Sequence, residues 1–475
     1  MKANRLIIIF LGILTLSGSI VYAAPADTEE KPRIIVLTDI ENEPDDAQSL
    51  VRFLTYSNQF DVEGIIATTS VWLRNKTAEW RIHEILEAYK EVQPNLLKHE
   101  EGYPSYEELM AVTKVGIPEY GMKGVGEGKD SEGSDWIIQS LKKEDPRPLW
   151  VLAWGGPNCL AQALWKLEQT ESPEVLETYV KKLRVYTISD QDESGPWMRR
   201  TFPNLFYICT PGYGHGGREG YHFATWSGIS GDSFHGRFPG GNREVISKEW
   251  IRKNIQENHG PLGAEYPDVA YLMEGDTPSF LYLINNGLGC SEYPHYGSWG
   301  GRYEYYTPRT QLYFFEPETR PLWTNAMDEV FSEVDQQHHT GNQATIWRWR
   351  EAFQNDFAAR MDWCTMGYEE ANHPPVPALA HAQLLEVSED EEVVLKAEGS
   401  SDPDGDELSY RWIYYREAGN SVYWLDLNKE YSQEASFTAP AMGFPQEMHF
   451  ILTVTDDGEP ALTRYKRVIV KVKEE

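Results

Sequence analysis

The segment Arg33–Phe60, RIIVLTDIENEPDDAQSLVRFLTYSNQF, decides the fold because it joins an apolar run, an acidic loop and an amphipathic stretch. The run RIIVLTDI lacks polar alternation, which is typical of a strand covered on both faces. From Ala47 to Tyr56 the apolar residues recur at helical spacing. Five carboxylates crowd the loop between them: Asp39, Glu41, Glu43, Asp45 and Asp46. Because like charges this close repel one another, we expect a cation among them.

The order of strand and then helix recurs along the chain. VEGIIATTSVW precedes AEWRIHEILEAYKEV, RPLWVLAWGG precedes CLAQALWKLEQ, and LRVYTISDQD begins another such unit. This alternation predicts an α/β fold with a mostly parallel sheet flanked by helices. Ligands of such sheets bind beyond the carboxyl ends of the strands. The acidic loop therefore follows a strand at the edge where function is expected.

Changes in composition predict the domain boundaries. An α/β domain is expected over residues 31–370, with Gly- and aromatic-rich loops between about 210 and 345 that shape a substrate cleft. A proline-rich linker follows at 371–382. Residues 383–475 carry short strand patterns separated by turn signals, which predict a C-terminal immunoglobulin- or PKD-like β-sandwich.

The N-terminus carries a targeting pattern. Lys2 and Arg5 precede the apolar run LIIIFLGILTL, and small residues surround Ala23. This predicts a signal peptide over residues 1–23 and a secreted or periplasmic protein. The alternative is a retained membrane anchor, for which the apolar run is short. No later stretch approaches 18 consecutive apolar residues, so we expect no membrane span after cleavage.

Charge and cysteine spacing disfavour two classes of ligand. The chain has 43 Lys and Arg against 74 Asp and Glu, a net charge of −31, which repels nucleic acid. The cysteines lie far apart and form no CxxC pair, so they give no zinc signal. We expect mostly buried thiols and at most one or two disulfides. The four are Cys159, Cys209, Cys290 and Cys364.

The motif Asp39-x-Glu41-x-x-x-Asp45-Asp46 resembles the N-terminal signature of nucleoside hydrolases, where an Asp-x-Asp-x-x-x-Asp-Asp loop follows the first strand. The whole chain is similar to the secreted, nucleoside-hydrolase-like proteins of a cellulose-binding family. The segments that carry this resemblance are TDIENEPDD, LWVLAWGGPN, ISDQD, MEGDTPSFLYLINNGL, WGGRY and GSSDPDGDELSYRW. The resemblance covers nearly all of the mature chain and implies a nucleoside-hydrolase-like fold with bound Ca²⁺.

The resemblance also implies roles for individual residues. The implied metal ligands are Asp39, Glu41, Asp46, Asn158 and Asp276, with Asn158 acting through its main-chain carbonyl. Glu41 stands where the family has an aspartate that is both ligand and general base, and Asp45 where a carboxylate binds sugar hydroxyls. Glu41 and Asp45 are therefore the implied catalytic residues. Because Glu is longer than Asp, Asp39 or Glu43 is an alternative for part of the role of Glu41.

The family has a histidine near the leaving group, directly before the late aspartate, and here that position is Gly275. The absence of that histidine argues against nucleosides as substrates. Glu274 and His295 are the two replacements that the sequence offers. Glu274 is also a candidate for substrate binding.

The chemistry of the acidic loop is consistent with this resemblance. Several carboxylates and a carbonyl make a hard-oxygen site, which suits Ca²⁺ rather than zinc. Carboxylates also stabilise the oxocarbenium-like state of glycosidic cleavage, and one of them can activate water. The alternative is a structural calcium loop, or a helix N-terminus where carboxylates are favoured anyway.

Weaker candidates for substrate binding lie further along the chain. Asp190 and Asp192 follow a predicted strand, where they either contact sugar hydroxyls or form a polar turn. Trp299 and Arg302, in the segment SWGGRY, form a candidate sugar-stacking platform, and the flanking glycines favour an exposed loop. The alternative for Trp299 is a position in the core, where tryptophans are more often found. In the sandwich, DPDGDEL at residues 402–408 suits a tight turn better than a calcium site.

Three functions remain open at this point. The first is a secreted, calcium-dependent glycoside hydrolase of the furanoside type that acts in glycan breakdown. The second is a non-catalytic carbohydrate-binding protein, for example a cellulose binder, with a hydrolase-like fold. The third is a periplasmic nucleoside hydrolase. A homodimer is compatible with the sequence, which leaves the oligomeric state open.

Overall fold

The computed structural model describes residues 30–211, 222–308, 318–421 and 423–474. The signal peptide predicted over residues 1–23 lies outside this part of the chain. None of the helices in the described residues is long and apolar enough to cross a membrane. Three of the four cysteines are buried, and all four are free thiols.

Strands of the first domain form one large sheet and a small hairpin. They are β1 (Arg33–Thr38), β2 (Asp61–Ala67), β3 (Thr113–Val115), β4 (Leu149–Ala153), β5 (Leu183–Ser189), β6 (Phe206–Thr210), β7 (Tyr303–Tyr306), β8 (Leu322–Asn325), β9 (Asp328–Ser332) and β10 (Gln337–Gly341). The sheet has the order β3-β2-β1-β4-β5-β6-β8-β7, and every neighbouring pair is parallel except β7 and β8. This confirms the predicted α/β class.

Helices cover both faces of this sheet. They are α1 (Pro44–Thr55), α2 (Glu79–His99), α3 (Tyr106–Val112), α4 (Glu132–Lys142), α5 (Asn158–Thr170), α6 (Pro173–Lys182), α7 (Ser194–Thr201), α8 (Gly231–His235), α9 (Lys248–Ile251), α10 (Gly260–Ala264), α11 (Pro278–Leu281), α12 (Ala344–Trp347) and α13 (Arg350–Asp362). α12 and α13 are separate helices, since the chain leaves helical geometry at Trp349.

The first strand shows why the apolar run of the sequence has no polar alternation. All six residues of β1 are buried. Ile34 and Val36 belong to the hydrophobic core on one face of the sheet, whereas Ile35 and Leu37 belong to the core on the other face. A strand packed on both sides needs apolar residues at consecutive positions.

The C-terminal strands form the predicted β-sandwich. They are β11 (Leu384–Ser388), β12 (Glu392–Lys396), β13 (Ser409–Tyr414), β14 (Glu434–Thr438), β15 (Gln446–Thr455) and β16 (Thr463–Lys473). One sheet has the order β11-β16-β15-β13, the other pairs β12 with β14, and a hydrophobic core lies between them. The sequence did not indicate β11, which directly follows the proline-rich segment and pairs in parallel with β16.

The sheet order determines where the functional residues meet. Since β2, β1, β4 and β5 are adjacent and parallel, their carboxyl ends lie side by side. The segments after them carry Ser70, Asp39, Gly155 and Asp190 respectively. These four segments form one edge, over which the loops of the second half of the domain fold.

Candidate functional site

A cavity of about 680 Å³ opens at the carboxyl edge of the sheet. This volume is within the range of about 300–1,000 Å³ that is usual for small-molecule sites. Its lining combines carboxylates with aromatic and basic side chains. The acidic members are Asp39, Glu43, Asp45, Asp46 and Asp276, and the others include Trp72, Trp226, Phe234, Tyr271, His222, His235 and Arg237.

Three of these carboxylates converge. Asp45, Asp46 and Asp276 each offer an oxygen atom, and these atoms lie within 4.8 Å of one another. Asp45 and Asp46 belong to the first turn of α1, where the helix dipole favours negative charge. Thr38 Oγ1 donates a hydrogen bond to Asp46 and so ties this turn to the end of β1. Asp276 comes from the loop before α11 and completes the group from the other side.

The surroundings of the carboxylates disfavour their charged forms. Burial, together with the charges of Glu43 and Asp39, raises the pKa of Asp45 to about 7. Burial also raises the pKa of Asp39 to about 6, although Ser70 donates a hydrogen bond to its carboxylate and opposes that shift. For Asp46 and Asp276, burial and the neighbouring acids raise the pKa well above its usual value.

A divalent cation would supply the charge that this group lacks. Within the described part of the chain, no Lys or Arg forms a salt bridge with Asp39, Asp45, Asp46 or Asp276. The converging donors are hard carboxylate oxygens, which suit Ca²⁺ or Mg²⁺ and not the softer transition metals. Asp45, Asp46 and Asp276 would hold the ion, with Asp39 beside them in the cavity wall. The residues present therefore fit a calcium site.

Glu41 lies outside this group. Its backbone is left-handed (φ 73°), which is uncommon for a residue with a side chain. The carboxylate is 3.3 Å from Arg81 Nε, and 37% of its side chain is exposed. Glu41 is not part of the cavity lining, whereas Asp39 and Glu43 are. The structure thus brings the two alternative residues to the cavity and not the residue that the resemblance implies as base.

At Gly275, where nucleoside hydrolases have a histidine, a side chain would crowd the carboxylate of Asp45. A Cβ atom at this position would lie 2.7 Å from Asp45 Oδ2 and 3.6 Å from a ring carbon of Trp226. The first distance is shorter than real Cβ contacts, so a side chain here would displace Asp45.

Neither replacement that the sequence offered takes the place of that histidine. Glu274 is fully buried and lies 2.8 Å from Arg52 Nη1, and it also accepts a hydrogen bond from Tyr266. His295 stacks on Trp323 and is not part of the lining. Two histidines without any motif, His222 and His235, line the cavity instead.

Three further candidates lie near the edge but are held by protein contacts. Asp190 is buried and pairs with Arg199 through two contacts of 2.8 Å. Asp192 accepts a hydrogen bond from the backbone N–H of Ser194 at 2.7 Å, and burial raises its pKa to about 7. The side-chain amide of Asn158 donates to the carbonyl of Glu119 at 2.8 Å, whereas the role expected of its main-chain carbonyl stays a prediction. None of the three is in the cavity lining.

The expected exposure of Trp299 and Arg302 is wrong. Trp299 is fully buried and donates to the hydroxyl of Tyr465 in the sandwich at 3.1 Å. Arg302 is also buried, with its Nε atom 2.7 Å from Asp328. Gly297 allows close packing between the two domains, since a Cβ atom there would lie 2.5 Å from the hydroxyl of Tyr415. Both residues belong to the domain interface.

The second acidic group of the chain forms a turn. Oxygen atoms of Asp402, Asp404 and Asp406 also lie within 4.8 Å of one another. Asp402 Oδ1 accepts hydrogen bonds from the backbone N–H groups of Asp404 and Asp406, at 2.8 and 3.2 Å. The carboxylate of Asp404 binds His373. These contacts match the tight turn that the sequence favoured.

The residues that the sequence did not indicate come mostly from loops. Trp226 and Tyr271 line the cavity from segments without motif or periodicity, so no local signal marks them. Ser189 and Gln191 also line it, at the end of β5. Gln191 lies between Asp190 and Asp192, which were the predicted candidates in this segment because of their charge. Successive side chains along a strand point to opposite sides. If this alternation continues beyond the end of β5, Gln191 points to the same side as Ser189, and this signal could have identified Gln191.

Comparison with known families agrees with this geometry. The family model described as "Cellulose-binding Sde182, nucleoside hydrolase-like domain" matches residues 33–303, and that of the C-terminal domain of cellulose-binding protein Sde0182 matches residues 392–472. The chain belongs to this family. No curated protein matches it.

Among solved structures, a nucleoside hydrolase-related protein from Saccharophagus degradans, described as associated with carbohydrate metabolism, is 35% identical to this chain. The match covers 94% of this chain and 100% of the other, with a TM-score of 0.77. A PKD domain from KIAA 1837 protein matches 20% of this chain and 86% of its own length at 25% identity, with a TM-score of 0.17. The fold assignment rests on the first of these structures.

Proposed function

We propose that this protein is a calcium-dependent glycoside hydrolase that acts on a neutral carbohydrate. The observation that carries the proposal is the convergence of Asp45, Asp46 and Asp276 within 4.8 Å, on the wall of a cavity large enough for a sugar. The family is described by cellulose binding, which makes plant-type glycans the first substrates to test. Secretion or export to the periplasm, expected from residues 1–23, fits this role.

The side chains of the cavity have different roles in the proposed reaction. Asp46 and Asp276 would hold the ion together with Asp45, whose second carboxylate oxygen would accept hydrogen bonds from adjacent sugar hydroxyls. Asp39 is fixed by the hydrogen bond from Ser70 and would take a proton from the attacking water. As the water oxygen bonds to the anomeric carbon, the glycosidic C–O bond breaks, and the departing oxygen would take a proton from solvent. Bound Ca²⁺ would orient that water and lower its pKa. Carboxylate charge near the anomeric carbon would stabilise the oxocarbenium-like state.

One observation favours the second function, a carbohydrate-binding protein without catalysis. Neither proton-transferring position of nucleoside hydrolases is filled in the cavity, since Glu41 pairs with Arg81 and Gly275 has no side chain. A site that keeps the cation and the sugar contacts can bind without turnover. The same arrangement disfavours nucleoside hydrolysis, because the leaving-group histidine is missing.

The deciding experiment measures the release of reducing sugar and of free base by the mature chain, with Ca²⁺ and with EDTA. The panel contains nucleosides, furanosides and plant polysaccharides including cellulose. We expect calcium-dependent sugar release that falls about hundredfold to thousandfold in Asp46→Ala, the scale of losing one electrostatic contact to a transition state. Asp135→Ala, which deletes a carboxylate on α4, serves as control and retains activity.

Two results would change the assignment. Retention on cellulose without release from any substrate, by a protein that still folds, would favour the binding function. Release that is insensitive to EDTA and to Asp46→Ala would remove calcium from the proposal.

A further inference from the structure

Two buried polar atoms on the β5 side of the cavity lack protein partners. Ser189 and Gln191 line the cavity, with exposed fractions of only 2% and 8%. Among the described residues, neither Ser189 Oγ nor Gln191 Oε1 has a hydrogen-bond partner. Native proteins keep few buried polar atoms without a hydrogen-bond partner, because leaving such an atom unsatisfied is unfavourable. Their position in the cavity wall points to a contact made by a ligand.

The orientation of the Gln191 amide is determined by its other end. Its Nε2 atom donates to the main-chain carbonyl of Trp154 at 2.6 Å. Only the NH₂ group of an amide can donate to a carbonyl, so the atom left over is the acceptor Oε1. The hydroxyl of Ser189 can donate or accept. Together the two side chains offer one fixed acceptor and one adaptable group, which suits hydroxyls of a ligand.

Charge narrows the class of that ligand. Five carboxylates line the same cavity, so a phosphate or a uronate would meet mainly negative charge. Aromatic rings stand at the cavity wall, with Trp72 and Tyr271 exposed by 48% and 59%. Exposed aromatic faces suit the C–H faces of sugar rings. The combination favours a neutral carbohydrate.

The sheet gives the separation between this pair and the acidic group. Asp39 follows β1 and Ser189 ends β5, with β4 between them. At about 4.8 Å per strand, the two backbones lie roughly 10 Å apart. A ligand of two linked sugar units is long enough to touch both groups.

We infer that Ser189 and Gln191 form a hydroxyl-binding subsite for a sugar unit next to the one held by the acidic group, and that Trp72 and Tyr271 pack against the adjoining part of the chain. This inference rests on the proposed function and deepens it by naming the ligand as a neutral oligosaccharide. Ser189 and Gln191 are then specificity-determining residues and take no part in proton transfer.

Isothermal titration calorimetry of the mature chain in Ca²⁺ tests the inference. The probes are glucose and β-1,4-linked glucose oligomers of two and four units. We expect affinity to rise with length, and Ser189→Ala and Gln191→Ala each to weaken binding of the tetramer about threefold to tenfold, the usual value of one hydrogen bond. Binding of the single sugar should change less.

Thr68→Val is the matched control. Thr68 Oγ1, just beyond β2, is also buried and without a partner among the described residues, but Thr68 does not line the cavity. Its removal should leave affinity within about twofold. Ser189→Ala decides the test if Gln191→Ala folds poorly, because the Ser189 hydroxyl has no hydrogen bond to lose within the described chain.

The outcomes separate this inference from the proposed function. If the tetramer binds and both variants keep wild-type affinity, the subsite is wrong while the hydrolase proposal stands. If no oligomer binds to the wild type, the inference is overturned. The hydrolase proposal is then judged separately, by calcium-dependent release across the wider panel.

Discussion

Buried carboxylates have two different surroundings in this protein. In the cavity, Asp46 and Asp276 are surrounded by other acids, and their pKa values are raised well above normal. At the domain interface, Asp328 is equally buried but lies 2.7 Å from Arg302 and 2.9 Å from Arg348. Although burial alone would raise it, these two guanidinium groups hold the pKa of Asp328 below its usual value.

The difference shows that neighbouring charge, and not burial, separates a structural acid from a candidate ligand. Asp328 also accepts a hydrogen bond of 2.6 Å from Tyr415 of the sandwich, so its charge is compensated by side chains of this chain. The acids of the cavity receive hydrogen bonds from Thr38 and Ser70 but no salt bridge within the described residues. A cation from solution would compensate the charge of the cavity acids, as the two arginines compensate the charge of Asp328.

The largest expected effect comes from breaking the compensated arrangement. Asp328→Ala removes the carboxylate that compensates the buried positive charges of Arg302 and Arg348. Loss of one partner of a buried ion pair costs about 3–5 kcal/mol. Asp46→Asn in EDTA should cost nothing or stabilise the fold slightly, since it removes repulsion and keeps the acceptor for Thr38. Urea denaturation followed by tryptophan fluorescence measures both free energies of unfolding.

Equal destabilisation by the two substitutions would contradict the comparison, because the cavity acids would then contribute as favourable charges without a cation. Asp135→Asn on α4 is the control. Its carboxylate is 45% exposed and pairs with Lys166, and exposed pairs contribute only about 0–1 kcal/mol.

A smaller effect is expected from adding the cation. Ca²⁺ that binds only the folded protein stabilises it by about 2.7 kcal/mol at a free concentration one hundred times Kd. Differential scanning calorimetry should show a rise in Tm with Ca²⁺, and this rise should be lost in Asp276→Asn. The second acidic group provides the matched variant, since Asp406→Asn should keep the whole rise.

If Asp406→Asn removes the rise in Tm and Asp276→Asn does not, calcium binds at the turn of the sandwich and the proposed metal site is wrong. No rise in either protein would also contradict the proposal.

Local patterns in the sequence were enough to predict the elements that carry the site. The apolar run of β1 and the helical spacing of α1 are properties of consecutive residues, so their positions follow from hydrophobic periodicity. The strand end between them positions Asp39, Asp45 and Asp46 at the functional edge. Asp276 was reached only through the family resemblance, and it also lies in the cavity.

Partners from distant parts of the chain determined what the sequence could not predict. Glu274 pairs with Arg52, which is 222 positions away, and this pairing turns its carboxylate into the core. Trp299 is covered by Tyr465 from the other domain, 166 positions away. The glycines that flank Trp299 and the charge of Glu274 are local properties of the sequence, and they do not reveal contacts with distant segments. Burial by a remote segment has no local signature.

The smallest expected effect concerns Glu41, which separates this site from that of nucleoside hydrolases. Glu41→Gln removes a half-exposed ion pair with Arg81, so kcat/KM should fall by no more than about threefold, as expected for a surface pair. Asp39→Asn keeps the shape of a buried cavity residue but removes its basicity, and it should lower kcat about hundredfold or more. Steady-state kinetics on the substrate found in the release panel compare the two variants. If Glu41→Gln abolishes turnover and Asp39→Asn does not, the acidic loop must rearrange when substrate binds, and the base is the residue that the family resemblance implies.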